Sequence, residues 1–598
     1  MKKDLLLTFL FIVFSFSLVA QQPLSAINPK NTIRCATQIS IEQTIRKNPE
    51  IVEVWRKEGE RQYSSYLQRQ ALKRGPLSIE ETEIIIPIVF HLVDDSTQLS
   101  GITDRDIYEQ VELLNKAFSG RKAERYDKVI PKEIYNRLGR IPIKFVLARR
   151  TPTGTLTSGI ERRVNKTPDR IKIKSTNTGG LDAWDTEKYL NVWAGGFSGD
   201  DNGLLGIATP PFYTSEGPQG VVMALNALPY TSNTKRSYYP AYSEGGTLIH
   251  EIGHYFYLWH TFGDSFECNN NDFRIQQGWP LPIGAGPEGD DTPEEKADEE
   301  GNAHFGNPSQ NYSDGCASTT FGMMYGSFMN YFDDRALFMF SNGMNKRVIG
   351  CIDSYRPGLK TSNGATPPMA VTDAYLVTTS PRGTPERRAY IANNTPLEVL
   401  VRNNGTIGLN RVTDNVKLNS EATVAYTFNL NLAPGSDTTL AAGILTCPNG
   451  THTLTVSTSN PNNGADAFTN NDTLQSFIYI SNTQINAPFT EEFSSGTFPP
   501  AGWRVWNPND NATWERNEVS GFTGSGSATV QNYSYSGGGQ LDDLITPIIN
   551  TGVADSSLLN FKVAYKVYND KDVSMWDGLE VYVSNDGGKY YDLAYKKS

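Results

Sequence analysis

The run Glu83-Ile84-Ile85-Ile86-Pro87-Ile88-Val89-Phe90-His91-Leu92-Val93 is almost continuously apolar and β-branched, which predicts a strand that opens a sheet. Thr103 to Phe118 follows with a different period: Ile107, Val111, Leu114 and Phe118 recur at helical spacing, as expected of an amphipathic helix. Ile141 to Ala148 reads as a second strand, so a βαβ-type sheet is expected. Pro357 to Pro368 is rich in Pro, Gly, Ser, Thr and Asn and reads as a linker. From Ala370 to Ile480 the pattern becomes short alternating strands broken by turns such as Asn403-Asn404-Gly405 and Pro434-Gly435. Such a series, repeated over about 110 residues, suggests an immunoglobulin-like sandwich. From Phe489 the pattern changes again, to aromatic-rich segments around Trp503 and Trp514 and the run Leu541 to Pro547.

The N-terminus has a patterning of its own. Lys2 and Lys3 precede an apolar run from Leu5 to Val19, and Ala20-Gln21 follows, which reads as a secretory signal peptide over 1–20. No later stretch is long and apolar enough for a membrane span. Residues 21–80 have the character of a propeptide: Ile41 to Leu72 is polar with spaced apolar residues, as in a helix, and ends at the basic site Lys73-Arg74-Gly75-Pro76. The net charge of −11 is spread among interspersed acids and bases, which argues against a nucleic-acid partner. Five cysteines are few for an exported chain of 598 residues, so disulfides are not its main scaffold.

Against this background one segment stands out. Of six histidines, three fall in His250-Glu251-Ile252-Gly253-His254-Tyr255-Phe256-Tyr257-Leu258-Trp259-His260. On a helix, His250 and His254 project from one face a turn apart and can share one Zn²⁺ at about 2.0–2.1 Å. Glu251 is then placed to deprotonate a metal-bound water. His260 can join only if the helix stops near Tyr257 and the chain turns back. Three protein ligands leave a fourth position open, as in a catalytic rather than a structural site. His91 and His452 lie in strand patterns and read as structural.

The segment resembles the extended zinc signature of metzincin metallopeptidases, His-Glu-x-x-His-x-x-Gly-x-x-His, except that Tyr257 stands where the signature has Gly. A bulky residue at a reversal that favours positive φ implies either a differently built turn or local strain. The run Ser327-Phe328-Met329-Asn330-Tyr331-Phe332-Asp333-Asp334, together with Tyr189–Trp193, Leu204–Ala208, Gly220–Met223, Thr261-Phe262 and Asp291-Thr292-Pro293, resembles the pappalysin family over about 85–355. The resemblance implies a twisted α/β sheet with a zinc helix, Met329 as a structural floor under the metal, and Tyr331 as an oxyanion or zinc-site partner. It also implies a Cys268–Cys316 disulfide, with Cys351 and Cys447 left as buried or free thiols. The resemblance places Asp334 at the base of the S1′ pocket, implying cleavage before Arg and less readily Lys; the alternative is that Asp333 and Asp334 only hydrogen-bond the turn. Calcium is implied near Asp291 and Thr292, although the acidic segment Glu288 to Glu300 reads equally well as a solvated loop. In Arg34-Cys35-Ala36-Thr37 a thiolate could take the open zinc position, and the family carries a similar Arg-Cys-Gly-Thr segment in that role. Here Ala36 replaces Gly, and an incidental cysteine is the competing reading.

The expected architecture is therefore multidomain: signal peptide 1–20, propeptide 21–80, α/β metzincin-type catalytic domain 81–356, linker 357–368, immunoglobulin-like sandwich 369–483, and a jelly-roll module over 484–598 that resembles cleaved-adhesin modules and may be incomplete. The expected function is a secreted or surface zinc endopeptidase acting on proteins or peptides, with a host matrix or surface ligand for the C-terminal β modules. The alternatives are a surface adhesin with a degenerate peptidase domain, and a zincin with a downstream Glu ligand, which His260 makes unnecessary.

Overall fold

The computed structural model describes residues 33–37, 46–51, scattered positions from there to 64, and most of 83–597. Within 83–597 the longest stretches outside the description are 231–237, 263–291, 297–314 and 532–540. The signal-peptide reading, the basic site 73–76, Cys268 and Asp291 lie outside the described residues.

The first sheet grows around β1 (Ile84–Asp94), ten of whose eleven residues are buried. The parallel partner β2 (Ile143–Leu147) lies along its first half and β3 (Ile160–Val164) along its second, while β4 (Leu190–Gly195) runs parallel on the other side. Beyond β4 come β6 (Val221–Ala224), parallel, and β5 (Gly206–Ala208), antiparallel at the edge. Helix α1 (Asp104–Phe118) begins with a capping box in which Thr103 and Asp106 satisfy each other's backbone N–H groups. Its face of Ile107, Val111, Leu114 and Phe118 enters the same core as Phe90, Phe145 and Phe340. Helices α2 (Gly246–Tyr255) and α3 (Asn342–Tyr355) complete that core.

The segment 357–368 is more structured than its composition suggests. Pro357–Lys360 forms a one-turn helix with Leu359 buried, and Gly364 O accepts hydrogen bonds from Arg149 N and Arg150 N. Prolines and glycines break long elements, but they also suit a short packed connection.

Eight strands follow. β7 (Ala374–Ser380), β9 (Thr395–Asn403) and β12 (Asp437–Leu445) form one sheet in the order β12-β9-β7. β8 (Ala389–Ala392), β10 (Leu409–Leu418), β11 (Val424–Leu432), β13 (Gly450–Ser459) and β14 (Thr473–Ser481) form the other, in the order β11-β10-β13-β14-β8. Alternate residues such as Leu397, Val399 and Val401 enter a separate apolar core between them. This sandwich docks on α1. Arg402 pairs with Glu112, and Arg382 and Arg105 both reach Glu109, holding its carboxyl down at about 2 despite burial. Arg149 binds Asp373 at 2.6 Å with both side chains buried, and its guanidinium stacks on Phe468. The described residues from 484 onward form two-stranded ribbons, among them Arg504–Trp506 with Asp543–Ile545 and Leu579–Val583 with Asp592–Lys597.

Candidate metal centre and the segment that crosses it

Helix α2 carries the histidines on a stem whose other face, Leu248, Ile249 and Ile252, is fully buried. Its N-terminus is held by Asp334, whose Oδ2 accepts from Glu244 N (3.0 Å) and Gly246 N (2.9 Å). Gly246 is required there, because a Cβ would fall 2.2 Å from Asp334 Oδ1. The helix ends at Tyr255, and the reversal is a Schellman turn. Leu258 N donates to Gly253 O and Tyr257 N to His254 O, with Tyr257 at φ 70°. Tyr257 thus adopts the left-handed geometry that the signature assigns to Gly: the turn is the ordinary one, built with strain rather than differently.

The reversal returns His260 to the helix. The three Nε2 atoms form a triangle with edges of 3.0, 3.1 and 3.1 Å. Tetrahedral Zn–N bonds of about 2.0–2.1 Å place nitrogens about 3.3–3.4 Å apart, so one Zn²⁺ above the triangle fits this donor set with little adjustment. His250 Nδ1 donates to Phe328 O (2.6 Å) and His254 Nδ1 to Leu258 O (2.7 Å), which leaves both Nε2 lone pairs facing the centre. Burial, and then the neighbouring imidazoles, pushes His250 and His254 well below the usual histidine range, keeping them in the neutral, ligating form.

Met329 lies beneath, fully buried. A Cβ on Gly253 would come within 2.4 Å of its sulfur, so helix and floor are in direct contact. The ring of Tyr331 stands 4.7 Å from that of His260 and 5.8 Å from that of His250. Glu295 is fully buried, which corrects the solvated-loop reading at that position: its carboxylate accepts from Met324 N and from Asn330 Nδ2, tying the loop to the turn under the site. Thr292, one of the two calcium candidates, is partly buried in the same segment. Cys316 is disulfide-bonded, while Cys351 and Cys447 are buried free thiols; burial pushes Cys351 up to about 12. His91 bridges Glu161 and Asn191 against Trp193, and His452 contacts Asn419 and Cys447, so both are structural.

Glu251 is wholly buried against the edge strand. A Cβ on Gly206 would fall 2.5 Å from Glu251 Cγ, so only glycine lets β5 approach the carboxylate. Burial pushes this carboxyl up to about 8.

The segment 33–37 crosses this centre. Ile33 N donates to Gly203 O, Leu205 N to Ile33 O and Ala36 N to Gly206 O, and the segment runs parallel to the strand it meets. Cys35 Sγ joins the three histidine nitrogens, with all four donor atoms within 4.8 Å of one another. Burial and the adjacent Glu251 push the thiol upward, so a cation among the imidazoles is what would favour the thiolate. Arg34 donates to Tyr331 O and Phe332 O, and its guanidinium lies 4.6 Å from the Tyr242 ring centre. It lines a cavity with Leu205, Gly246, Thr247, His250, Tyr331 and Leu337. Asp334 borders this region: its Oδ1 is buried without a hydrogen-bond partner, and the nearby Arg34 and Lys122 charges act against a burial that pushes the carboxyl up to about 6. Sequence reading named neither Arg34 nor Thr37 as a site residue, although both stand in the quoted motif around Cys35.

No family model matches the chain. A curated relative, an extracellular metalloprotease from Verticillium alfalfae, is 24% identical over 220 residues, which is 36% of this chain and 65% of the relative. The chain is similar to extracellular metalloproteases. It thus spans slightly less than two thirds of that curated relative. Among solved structures, a Tannerella forsythia promirolysin variant is 27% identical with a TM-score of 0.42, over 55% of this chain and 95% of that one. Mature mirolysin of that organism, in complex with a cleaved peptide, is 29% identical with a TM-score of 0.39, over 47% and 95%.

Proposed function

We propose that the chain is a secreted zinc metalloendopeptidase of the pappalysin type, held latent by residues 33–37. The observation that carries this reading is the triangle of His250, His254 and His260 with Glu251 beside it and Cys35 as a fourth donor. His250, His254 and His260 would hold Zn²⁺, which supplies Lewis acidity toward a peptide carbonyl. Glu251 takes a proton from the attacking water and returns it to the leaving amine. Tyr331, at the rim of the histidine cluster, donates toward the developing oxyanion. Met329 holds the floor, and Cys268 is the partner of Cys316. Calcium at Asp291 and Thr292 remains part of the proposal on the sequence resemblance alone. The N-terminal leader and the similarity to an extracellular metalloprotease support export; no described helix is long and apolar enough to cross a membrane.

Specificity follows from what fills the cleft. Arg34 lines the cavity beside His250, and its charge acts on the buried carboxyl of Asp334, one oxygen of which has no hydrogen-bond partner. A substrate arginine just after the scissile bond would take the same place, its guanidinium facing a partly desolvated carboxylate. Casein digestion with and without a zinc chelator, followed by peptide-library profiling, tests the proposal. Chelator-sensitive cleavage before Arg, weakened in Asp334→Ala, is expected; no cleavage, or cleavage indifferent to the chelator, would refute the activity. An apolar preference, or one unchanged in Asp334→Ala, would refute the pocket assignment.

A further inference from the structure

Cys35 accounts for the metal, but its hold on the base is only a long thiol contact, 3.7 Å from Glu251 Oε2. A carboxylate that stayed free to bind water beside a blocked metal would be only half restrained. The chain fills this second position with Thr37, which is 1% exposed. Its hydroxyl donates to Glu251 Oε2 at 3.1 Å and accepts from Ala208 N at 2.9 Å. The other carboxylate oxygen, Oε1, is buried against Gly206 with no hydrogen-bond partner. Oε2 is therefore the carboxylate oxygen that faces the segment, and Thr37 holds it. Thr37 N also donates to Cys35 Sγ at 3.4 Å, which ties the two side chains into one unit.

We propose that Thr37 is a second latch of the latent form: its hydroxyl occupies the hydrogen-bonding position on Glu251 that the attacking water uses, while Cys35 occupies the metal. Of the two partners a catalytic water would have, the cation faces Cys35, while the carboxylate is held by Thr37 at 3.1 Å with the Cys35 thiol a longer contact at 3.7 Å. When the segment leaves, Oε2 and Ala208 N–H are exposed together, so removal of one strand restores both. The latch rests on the metallopeptidase reading, which gives Glu251 its role.

The test is a double-mutant cycle on the full-length precursor, read by the rate at which iodoacetamide alkylates Cys35 and scored by mass spectrometry. This readout needs no turnover. Thr37→Val keeps the shape and removes the hydroxyl; it should speed alkylation about tenfold, the scale of losing one hydrogen bond to a buried charged group. Thr37→Ser should stay within about twofold of wild type. In a Glu251→Ala background, Thr37→Val should add less than about twofold. Thr37→Ala gives the same comparison if valine disturbs the segment, and zinc content and thermal unfolding of each variant confirm an intact fold. Equal rates for wild type and Thr37→Val would overturn the latch. So would an undiminished effect in the Glu251→Ala background, which would trace it to Ala208 alone. Casein cleavage by the matured chain separates the two ideas: coupling without cleavage strikes the peptidase reading, and cleavage without coupling strikes the latch.

Discussion

Glu251 and Asp414 are both fully buried carboxylates, and burial pushes both upward, to about 8 and about 7. They differ in company. Glu251 lies between an edge strand that needs glycine to admit it and the segment 33–37, which supplies a hydroxyl and a thiol. Asp414 sits mid-strand in β10, opposite Tyr426 on β11 and Thr458 on β13, and neither of its carboxylate oxygens has a hydrogen-bond partner. The same desolvation thus has two meanings. Around Glu251 a hydroxyl and a thiol are presented to one carboxylate oxygen. Around Asp414 nothing receives the proton, and the raised carboxyl is a local instability that the sandwich core tolerates.

The largest expected effect removes the first of the pair. Glu251→Ala should lower kcat by about 10²–10⁴, the usual contribution of a general base, while zinc content stays at wild-type level. Zinc should stay because His250 and His254 keep their orienting contacts at Phe328 O and Leu258 O. Activity above about a tenth of wild type would move the base elsewhere.

What could be read from the sequence divides along a similar line. His250, Glu251, His254 and His260 were legible because ligand geometry fixes their spacing on a helix and its return. The strand at 84–94 and the helix at 104–118 were legible because a single periodicity dominates each. Glu295 was not: a buried carboxylate within an acidic run has the composition of a solvated loop, and only the approach of Met324 N and Asn330 shows otherwise. Asp414 was not legible either, since an Asp in an alternating strand gives no sign of which face it takes. Arg34 and Thr37 act through contacts across about 200 residues or more of chain, beyond the reach of any local pattern.

Asp414 offers the second way to test the comparison, through pH. Its folded value lies above the unfolded one, so its contribution to stability is fully present below about pH 4 and is lost as pH rises through about 7. Asp414→Asn removes that titration. At pH 8 the variant sandwich should be more stable than wild type by about 2–4 kcal/mol, and the gain should vanish near pH 4. Hydrogen exchange of β10 and β13 amides at the two pH values measures this. A gain that is equal at both would mean that Asp414 does not titrate in this range.

The smallest effect concerns the strain at Tyr257, and there the expected order of variants matters more than the size. A non-glycine residue in the left-handed region costs roughly 1–2 kcal/mol. Tyr257 retains that conformation because its ring is 1% exposed, packed near Trp259 and under Arg347. Burying an aromatic side chain is worth about 2–3 kcal/mol, which exceeds the strain. Tyr257→Gly should therefore lower stability by only about 1–2 kcal/mol, since the relieved strain offsets part of the lost packing. Tyr257→Ala leaves nearly the same void and keeps the positive-φ penalty, so it should be less stable than the glycine variant by about 1 kcal/mol although it retains one more carbon. Thermal unfolding of the two variants, with zinc retention as a measure of His260 placement, gives the order directly. An alanine variant as stable as the glycine one would show that packing alone, and not the turn conformation, limits this position.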